Sequence, residues 1–480
     1  MTAPLPAGSR PGWADLRSVV ALALPVATVQ VGLMAMGVAD TLMVGRASSA
    51  DLAAVALGNL YFFLVAIFGM GVLMVLDPLV AQAVGAGDDA AVTRSVQRGL
   101  VLCLVLTVLA SVLLLPAGLL FTLARQPEEV VPLARGYAWA AVPGVLPFYA
   151  FVVFRQTLQA MGRLRPIVWT ILWANLLNVL LNWILIFGNL GAPRLGAVGS
   201  SLGSSGARWF MAVFLLAAAW TTLGPHLRSP VREAIRWKAL SRMSRVGAPI
   251  GIHFQVEFGA FAMTGLMMGW LGTVPVAGHQ VALNLAASAF MVPLGIAGAG
   301  AVLVGRAVGV GDSDRARRAA GASLLLGLLF MLGTGALFLG IPDLLARAYT
   351  NDEAVLAVAA VLIPVAGLFQ IFDGLQAVAA GVLRGVGDTR LPMILNLVGF
   401  WGVGLPVGAY LAFRAHFGPE GLWWGLAVGL AAVAVLLLIR TRFRLRGDLQ
   451  RLQVDGPAAI PSVPVPGSSV TPTPSPSPDR

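Results

Sequence analysis

Long apolar segments recur along the whole chain and limit its possible folds more than any other feature. Because the hydrocarbon core of a bilayer is about 30 Å thick, a helix that crosses it needs about 20 mostly apolar residues. Twelve segments of the sequence are long enough. They lie at residues 18–44, 52–84, 95–123, 133–159, 166–188, 197–222, 238–270, 275–305, 318–341, 353–383, 391–413 and 421–439. This pattern predicts an all-α polytopic membrane protein with twelve transmembrane helices.

The composition excludes several other classes of protein. Only 11% of the 480 residues are charged and 58% are hydrophobic, whereas a soluble domain carries about 25% charged residues. The single cysteine, Cys103, cannot form an internal disulfide and supplies no set of metal ligands. A membrane enzyme needs clustered catalytic groups, but the four histidines are scattered. We therefore expect neither an enzyme nor a bound cofactor.

The basic residues predict the orientation of the chain. With the N-terminus inside, 25 of the 32 Lys and Arg residues fall in inner loops and helix ends, and the other seven fall outside. This asymmetry matches the positive-inside rule and predicts that both termini are cytoplasmic. The net charge of +11 is then a result of topology, so we expect no nucleic-acid partner. The run Arg440, Arg442, Arg444 and Arg446 is expected to meet anionic membrane lipids.

Two sequence matches at one offset predict an internal repeat. Residues 80–88 (VAQAVGAGD) and 304–312 (VGRAVGVGD) share six of nine positions at an offset of 224, and 158–162 resembles 383–387 at an offset of 225. Two six-helix bundles, at 18–222 and 241–446, should therefore be related by a pseudo-two-fold axis along the membrane normal, with a V-shaped cleft between them. The remaining parts are a cytoplasmic N-terminal segment (1–17), a cytoplasmic linker (223–240) and a disordered Pro/Ser-rich cytoplasmic tail (447–480).

Acidic residues inside the spans are the main functional candidates, because a charge at the bilayer centre costs at least about 2.5–3.5 kcal/mol. Glu257 and Asp373 are each predicted at roughly 16–18 Å from the inner boundary, where they could share one site. Asp40 lies nearer the outer end and should face an outer vestibule. Asp77 is expected near the inner mouth of the second span, either as a hydrated or helix-terminal carboxylate or as a transport residue.

Polar side chains at helical spacing accompany these acids. His253 precedes Glu257 by one turn, and Gln370, Asp373 and Gln376 recur every three residues. In the fifth span, Asn175, Asn178 and Asn182 recur at helical spacing. In the eighth span, Gln280 precedes Asn284 by one turn. Each amide can also be read as an interhelical hydrogen-bonding group, and His253 as a hydrogen-bonded core histidine.

Buried acids of this kind can couple ion movement to a conformational change in two ways. A desolvated carboxylate can take up a proton on one side of the membrane and lose it on the other. Alternatively, carboxylate and amide oxygens together can hold a hard cation such as Na⁺. The sequence leaves Na⁺ and H⁺ open.

Ordered motifs over about residues 18–440 resemble the multidrug and toxic compound extrusion (MATE) transporters. The motifs are VADTLMVG at 38–45, LAAVALG at 52–58, PLVAQAVGAG at 78–87, PIG at 249–251, FDGLQ at 372–376, LRG at 383–385 and GDTR at 387–390. Glu257 and Asp373 together make the chain similar to the NorM-like branch.

The resemblance implies a cation-coupled exporter of amphipathic, often cationic drugs that works by alternating access. It implies that Glu257 and Asp373 bind the coupling cation, as metal ligands if the ion is Na⁺, and that Asp40, Asn175 and Asn178 act in the N-terminal cleft. His253, Asp77, Gln280, Asn284 and Gln376 are secondary candidates. The expected setting is the inner membrane of a bacterium, with a monomeric, multi-pass chain. Phe369 stands where several relatives have a tyrosine, and the missing hydroxyl weakens the sodium assignment.

One alternative within the wider superfamily is a flippase for lipids or lipid-linked saccharides. Such a protein should carry arginines inside its spans, and only Arg208 is a candidate in the sequence. A simple channel is less suitable, because the midplane acids fall in one half of the chain rather than in a ring.

Overall fold

A computed structural model of the chain describes residues 11–228 and 232–454. Nearly all of these residues are helical, and none of them forms a β-strand. Twelve long helices follow one another: α1 (Trp13–Gly45), α2 (Ser49–Gly85), α3 (Asp89–Leu114), α4 (Val130–Ala160), α5 (Arg165–Phe187), α6 (Gly196–Ala218), α7 (Trp237–Leu271), α8 (Thr273–Val310), α9 (Ser313–Gly340), α10 (Glu353–Gly385), α11 (Arg390–Arg414) and α12 (Gly418–Arg446). Each overlaps its predicted segment, so the predicted all-α polytopic fold is confirmed.

One helix is less apolar than the rest. Over the described residues, eleven of the long helices are long and apolar enough to cross a membrane, and α7 is the exception although it has 35 residues. His253, Gln255 and Glu257 lower the mean hydropathy of its middle. A spanning helix with three polar side chains at its centre needs polar surroundings inside the protein.

The chain forms two lobes of six helices, α1–α6 and α7–α12. The first has a core that includes Tyr149 and Phe151, and the second has a core that includes Phe400 and Trp423. Because six is an even number, each lobe begins and ends at the same end of the molecule. We call this end the terminal face, which carries loops 86–88, 161–164, 311–312 and 386–389, and the other end the distal face.

Small residues bring the lobes into contact at equivalent positions of the repeat. A Cβ added at Gly71 on α2 would lie 2.6 Å from the Cα of Gly251 on α7. The equivalent positions, 224 residues away in each case, are Gly295 on α8 and Ala27 on α1, where an added Cβ would lie 2.8 Å from the Cβ of Ala27. Because real Cβ atoms do not approach so closely, larger side chains at either glycine would separate the lobes.

Two polar side chains tie the lobes together at the terminal face in the same symmetric way. Gln82 Nε2 donates to the Gly385 carbonyl at 2.9 Å. Arg306 donates to the Ala160 carbonyl from Nε at 3.0 Å and from Nη2 at 2.7 Å. The two donors are 224 residues apart and the two acceptors 225, which is the offset of the predicted repeat. These contacts close the cleft between the lobes at the terminal face.

Several of the long helices are interrupted. α2 breaks at residues 74–75, just before Asp77, and α4 contains a 3-10 turn at Val142–Gly144. α11 contains π-helical stretches at Val398–Gly404 and Tyr410–Arg414, a geometry often found beside functional sites. Other long helices continue through a proline, at Pro25, Pro249, Pro293 and Pro364.

The first residues after α12 bridge the two lobes. The Leu452 backbone N–H donates to Gln82 Oε1 at 2.8 Å, Arg451 Nη2 lies 3.0 Å from Asp88 Oδ2, and Arg242 donates to the Val454 carbonyl at 3.3 Å. We call residues 447–454 the C-terminal strap. The disorder predicted over 447–480 is therefore wrong for these eight residues, because their side chains and backbone have partners on both lobes.

Other parts of the predicted domain plan lie only partly within the described residues. The predicted N-terminal segment (1–17) is described from residue 11, and α1 already begins at Trp13. The predicted linker (223–240) contains the end of a helix at Trp220–Arg228 and a turn at Arg232–Ile235. Residues 229–231 of the linker and the tail from residue 455 lie outside the described residues.

Candidate functional site

A cavity of about 350 Å³ lies between the two lobes. It extends from Asp40 and Asn59, towards the distal face, to Gln159 and Arg384, near the terminal face. Aromatic side chains and methionines form a substantial part of its walls: Phe63, Tyr137, Phe148, Phe151, Phe254, Met34, Met36, Met70, Met74, Met211 and Met291. Polarizable and planar walls suit organic ligands of varied shape.

Asp40 is held by hydrogen-bond donors from two neighbouring helices. Its Oδ2 accepts from the Ser204 hydroxyl of α6 at 2.6 Å, and its Oδ1 accepts from the Asn182 amide of α5. The Asn178 Oδ1 lies 3.4 Å from Asn182 Nδ2, one turn along the same face of α5. Both oxygens of the carboxylate are therefore engaged inside the N-terminal lobe. Asp40 and Asn178 are brought together as predicted, whereas Asn182 and Ser204 were not among the predicted site residues.

Arg208 brings a positive charge close to this carboxylate. It follows Ser204 by one turn on α6 and lines the cleft with Asp40. Its guanidinium carbon lies 4.0 Å from the ring centroid of Phe62 and 5.7 Å from that of Phe148. Stacking on two rings holds the guanidinium beside Asp40. The four-residue spacings of 178–182 and 204–208 are the sequence signal that could have revealed this site.

Three other predicted amides lie apart from the acids. The Asn175 amide donates to the carbonyls of Gly32 at 3.0 Å and Ile171 at 2.9 Å, which is the interhelical alternative. Gln280 is exposed and Asn284 half-buried. Among the described residues, neither lines the central cavity or the smaller cavity that adjoins Glu257.

Glu257 lies in a polar cluster at the centre of the C-terminal lobe. His253 Nε2 is 3.5 Å from Glu257 Oε2, and the Asn396 amide of α11 is 3.2 Å from His253 Nδ1. Gln376 of α10 donates to Asn396 Oδ1 at 3.4 Å, and the amides of Gln376 and Asn396 also lie beside Glu257. A cavity of about 40 Å³ adjoins Glu257, His253 and Gln376. The sequence predicted three of these residues and missed Asn396, a single amide in an otherwise apolar helix.

Asp373 belongs to the same cluster. It is only 6% exposed, and it is close enough to Glu257 for the two charges to interact directly. Three buried acceptor oxygens on α10 have no hydrogen-bond donor: Asp373 Oδ1, Gln376 Oε1 and Gln370 Oε1. Such oxygens are the ligands of a hard cation or the acceptors of a proton. The neighbouring Phe369 ring packs edge-on against Trp423 at 5.6 Å and supplies no further donor atom.

No larger ligand set is present in the described part of the chain. Within residues 11–228 and 232–454, no three His, Cys, Asp or Glu side chains come together as a metal site. A cation at Glu257 and Asp373 would therefore depend on the two carboxylates and the neighbouring amide oxygens.

Asp77 is fully buried. It is 0% exposed in the first turn after the break in α2. Its Oδ2 accepts from Gln156 Nε2 at 3.1 Å and lies 3.6 Å from Arg384 Nε. The prediction of a helix-terminal position is correct, but solvent does not reach the carboxylate because α4 and α10 cover it.

The sequence placed Arg155 and Arg384 among the basic residues of the inner helix ends. Both are buried, at 8% and 7% exposure, and both line the central cavity. With Arg208, three arginines thus lie inside the spans and face the cleft, where only Arg208 was predicted. Arginine close to a helix end is usually read as a loop residue, which explains why the sequence did not reveal the other two.

A two-lobed bundle of twelve membrane helices, with a central cleft and buried acids in each lobe, defines a polytopic membrane transporter rather than an enzyme. The sequence model of the MatE family matches the chain at residues 25–184 and again at 249–410. The two matches begin 224 residues apart, which agrees with the internal repeat. The chain belongs to the MatE family, and the resemblance predicted from its motifs is confirmed.

Individual relatives are similar over nearly the whole chain. A probable multidrug resistance protein NorM of Rhizobium meliloti is 38% identical over 435 residues, which cover 88% of this chain and 92% of the relative. The multidrug resistance protein PmpM of Pseudomonas aeruginosa is 37% identical over 445 residues, 89% of this chain and 91% of the relative.

Solved structures share the two-lobed fold. The eukaryotic MATE transporter AtDTX14 has a TM-score of 0.82 at 21% identity and covers 91% of this chain and 100% of its own. A multidrug resistance MATE family transporter in an outward-facing conformation has a TM-score of 0.80 at 20% identity, with 90% and 96% coverage. At these identities the likeness concerns the fold.

Proposed function

We propose that the chain is a multidrug exporter that moves amphipathic, often cationic organic compounds out of the cell in exchange for Na⁺ or H⁺. The observation that carries the proposal is the cluster of Glu257 and Asp373 with Gln376 and Asn396 in the middle of the C-terminal lobe. Support comes also from the similar NorM and PmpM proteins, both of which are named multidrug resistance proteins.

The cluster has the chemistry that ion coupling requires. Two carboxylates that interact at close range inside a membrane repel each other unless a positive charge, either H⁺ or Na⁺, is shared between them. The unpaired oxygens of Asp373 and Gln376 provide acceptors for that charge. Binding or loss of the ion therefore changes the electrostatic interaction between Glu257 on α7 and Asp373 on α10.

The contacts between the lobes support alternating access as the mechanism of this proposal. The contacts of Gln82 and Arg306 close the cleft at the terminal face, while the cavity extends towards the distal face as far as Asp40. We propose that this is the outward-open arrangement. Exchange of the terminal contacts for contacts at the distal face would open the same cavity inward.

The orientation is proposed from the positive-inside rule. The terminal face then lies in the cytoplasm of a bacterium, the chain spans the inner membrane, and both termini are cytoplasmic. Basic residues of that face, including Arg440 and Arg444, would meet anionic lipids. One chain contains both lobes and the whole cleft, so we propose a monomer as the working unit.

Transport by purified protein in liposomes tests this proposal. Vesicles loaded with a fluorescent organic cation receive an imposed Na⁺ gradient or an imposed H⁺ gradient, separately, and the dye flux is recorded. We expect one gradient to drive dye movement, and Glu257→Gln or Asp373→Asn to abolish it. Asp343→Asn, which removes an exposed acid outside the long helices, is the matched control. Dye movement that ignores both gradients would contradict ion coupling.

A lipid flippase is the second candidate, and the three arginines of the cleft are the observation that favours it. A flippase would move a fluorescent phospholipid between leaflets at a rate that depends on the protein. The exporter proposal predicts dye transport in vesicles where phospholipid movement stays at the protein-free rate.

A further inference from the structure

The floor of the central cavity contains more positive than negative charge. Arg155 Nη1 donates to Gln30 Oε1 at 2.9 Å, while its Nε has no hydrogen-bond partner. Arg384 Nε lies 3.6 Å from Asp77 Oδ2 and likewise makes no hydrogen bond. The two guanidinium groups are close enough to repel each other, and Asp77 is the carboxylate that both face.

The charges of the whole cleft do not balance either. Of the described residues that line it, Arg155, Arg208 and Arg384 are basic and Asp40 is acidic, and Asp77 lies directly behind Arg384. Three positive charges therefore face two negative ones. An uncompensated charge away from water is costly, and a guanidinium is best compensated by a planar group that accepts two parallel hydrogen bonds.

We propose that the floor of the cleft, formed by Arg155 and Arg384, binds a carboxylate or phosphate group of an amphipathic substrate. This inference rests on the proposed export function and deepens it, because it assigns a position in the cleft to the anionic group of substrates that carry one at the end of an apolar, often aromatic body. A positive group at the other end of such a molecule would lie towards Asp40.

The dimensions of the cleft agree with a molecule of this kind. Gln30, the partner of Arg155, and Asp40 lie ten residues apart on α1, which is about 15 Å along a helix. Phe148, Phe63 and Met291 line the wall between the two ends. A drug-sized zwitterion can therefore span the cleft with its anionic group at the floor.

Equilibrium binding of two matched dyes to the full-length protein tests the site without depending on ion coupling. Rhodamine B carries a free carboxylate, and its ethyl ester is the same aromatic cation with the carboxylate masked. We expect tighter binding of rhodamine B by fluorescence anisotropy. Arg155→Gln should weaken rhodamine B binding by about tenfold or more while changing ester binding less than about twofold.

Two further variants complete the design. Arg155→Lys keeps the charge without the planar fork, so we expect an intermediate loss for rhodamine B. Arg163→Gln removes one positive charge from an exposed position on the terminal face and should leave both dyes unaffected. Unchanged ester binding also shows that the Arg155 variants are folded.

Other results would contradict the proposed anion site. Equal binding of both dyes to the wild type, or equal loss of both in Arg155→Gln, would mean that the arginines do not recognise an anionic group. Displacement of rhodamine B by a short-chain phosphatidylethanolamine below its micellar concentration would show that lipid phosphates share the site, and no displacement would restrict it to carboxylate drugs. Failure of dye transport with retained Arg155-dependent binding would count against the proposed export function but not against the anion site.

Discussion

The acids of the two lobes differ in how completely their carboxylate oxygens are hydrogen-bonded. In the N-terminal lobe, both oxygens of Asp40 accept from side chains of α5 and α6. In the C-terminal lobe, Asp373 Oδ1 and Gln376 Oε1 have no donor although both are buried. An acid whose bonds are complete is fixed in place, whereas a pair of acids with unpaired oxygens can still bind a proton or cation.

The two lobes are related by a repeat, so the acids of one lobe can be compared with the equivalent positions of the other. The positions equivalent to Asp40 and Glu257, at the offset of 224, are Thr264 and Leu33, and the position equivalent to Asp373 is Tyr149. The contacts between the lobes follow the symmetry, but the acids do not. On the proposed mechanism, the lobes would share one rocking interface and divide the chemistry, with ion coupling in the second lobe.

The largest effect is expected from removing the acids of the C-terminal lobe. Glu257→Gln and Asp373→Asn should each reduce drug efflux from cells by about tenfold or more. Because both acids belong to one cluster, the double variant should be no worse than the single ones. Efflux rates are compared at equal amounts of protein in the membrane. Additive losses would mean that the two acids act at separate sites.

Asp40 should matter less, and in a different way. Asp40→Asn keeps the shape of the side chain but removes its negative charge beside Arg208 and turns one acceptor oxygen into an N–H donor, so Ser204 must accept where it now donates. We expect drug resistance to fall by about fivefold while binding of the coupling ion is unchanged. Ser204→Ala should give a smaller loss with the same pattern. Loss of ion binding in Asp40→Asn would remove the division of roles between the lobes.

The symmetric contacts at the terminal face can be tested in pairs. Gly85 packs against the backbone of Arg306, and Gly309 packs in the equivalent way against Gln82. Because backbone cannot move aside, Gly85→Val and Gly309→Val should both force the lobes apart there. In a background with Cys103→Ala, a cysteine placed at the exposed Gly37 would report the state of the cleft. We expect both valine variants to slow the labelling of this cysteine from outside by about threefold. Unequal effects of the two variants would argue against a symmetric hinge.

The smallest effect is expected at the C-terminal strap, where a half-exposed ion pair joins Arg451 and Asp88. Burial raises the pKa of Asp88, but the Ala91 backbone N–H and Arg451 lower it more, so the pKa lies below its ordinary value. The stabilisation is therefore present above the ordinary pKa of about 3.9 and is lost as the pH falls through the folded value.

Asp88→Asn isolates this ion pair, because asparagine can still cap α3. At pH 7 we expect the variant to be less stable by at most about 1 kcal/mol, and the difference should vanish at acidic pH. Limited proteolysis of the C-terminal segment over a pH series measures it. A difference that persists at low pH would show that the ion pair does not hold the strap.

The sequence predicted the parts of the molecule that depend on strong, local signals. Apolar segments revealed the helices, the offset of 224 revealed the two lobes, and the high cost of buried charge singled out Glu257 and Asp373. Asn182, Ser204 and Asn396 were missed as site residues because amides and hydroxyls are common in spans and do not stand out one by one.

Two other features depend on tertiary contacts that no local pattern shows. Arg155 and Arg384 read as residues of helix ends, yet in the fold both are buried, where Arg155 contacts Gln30 of α1 and Arg384 lies beside Asp77 of α2. The residues of the strap were included in the tail because the eight prolines of 456–480 dominated the interpretation, which concealed Leu452 and Arg451, the residues that dock against Gln82 and Asp88.

The central claim is that Glu257 and Asp373 couple ion movement to drug export. Simultaneous recording of drug efflux and ion entry in the same liposomes tests it most directly. We predict that drug drives ion entry in the wild type and that Glu257→Gln and Asp373→Asn each abolish this drug-dependent ion flux, while Asp343→Asn leaves it intact. Drug-dependent ion flux at the wild-type rate in either of the two acid variants would contradict the account.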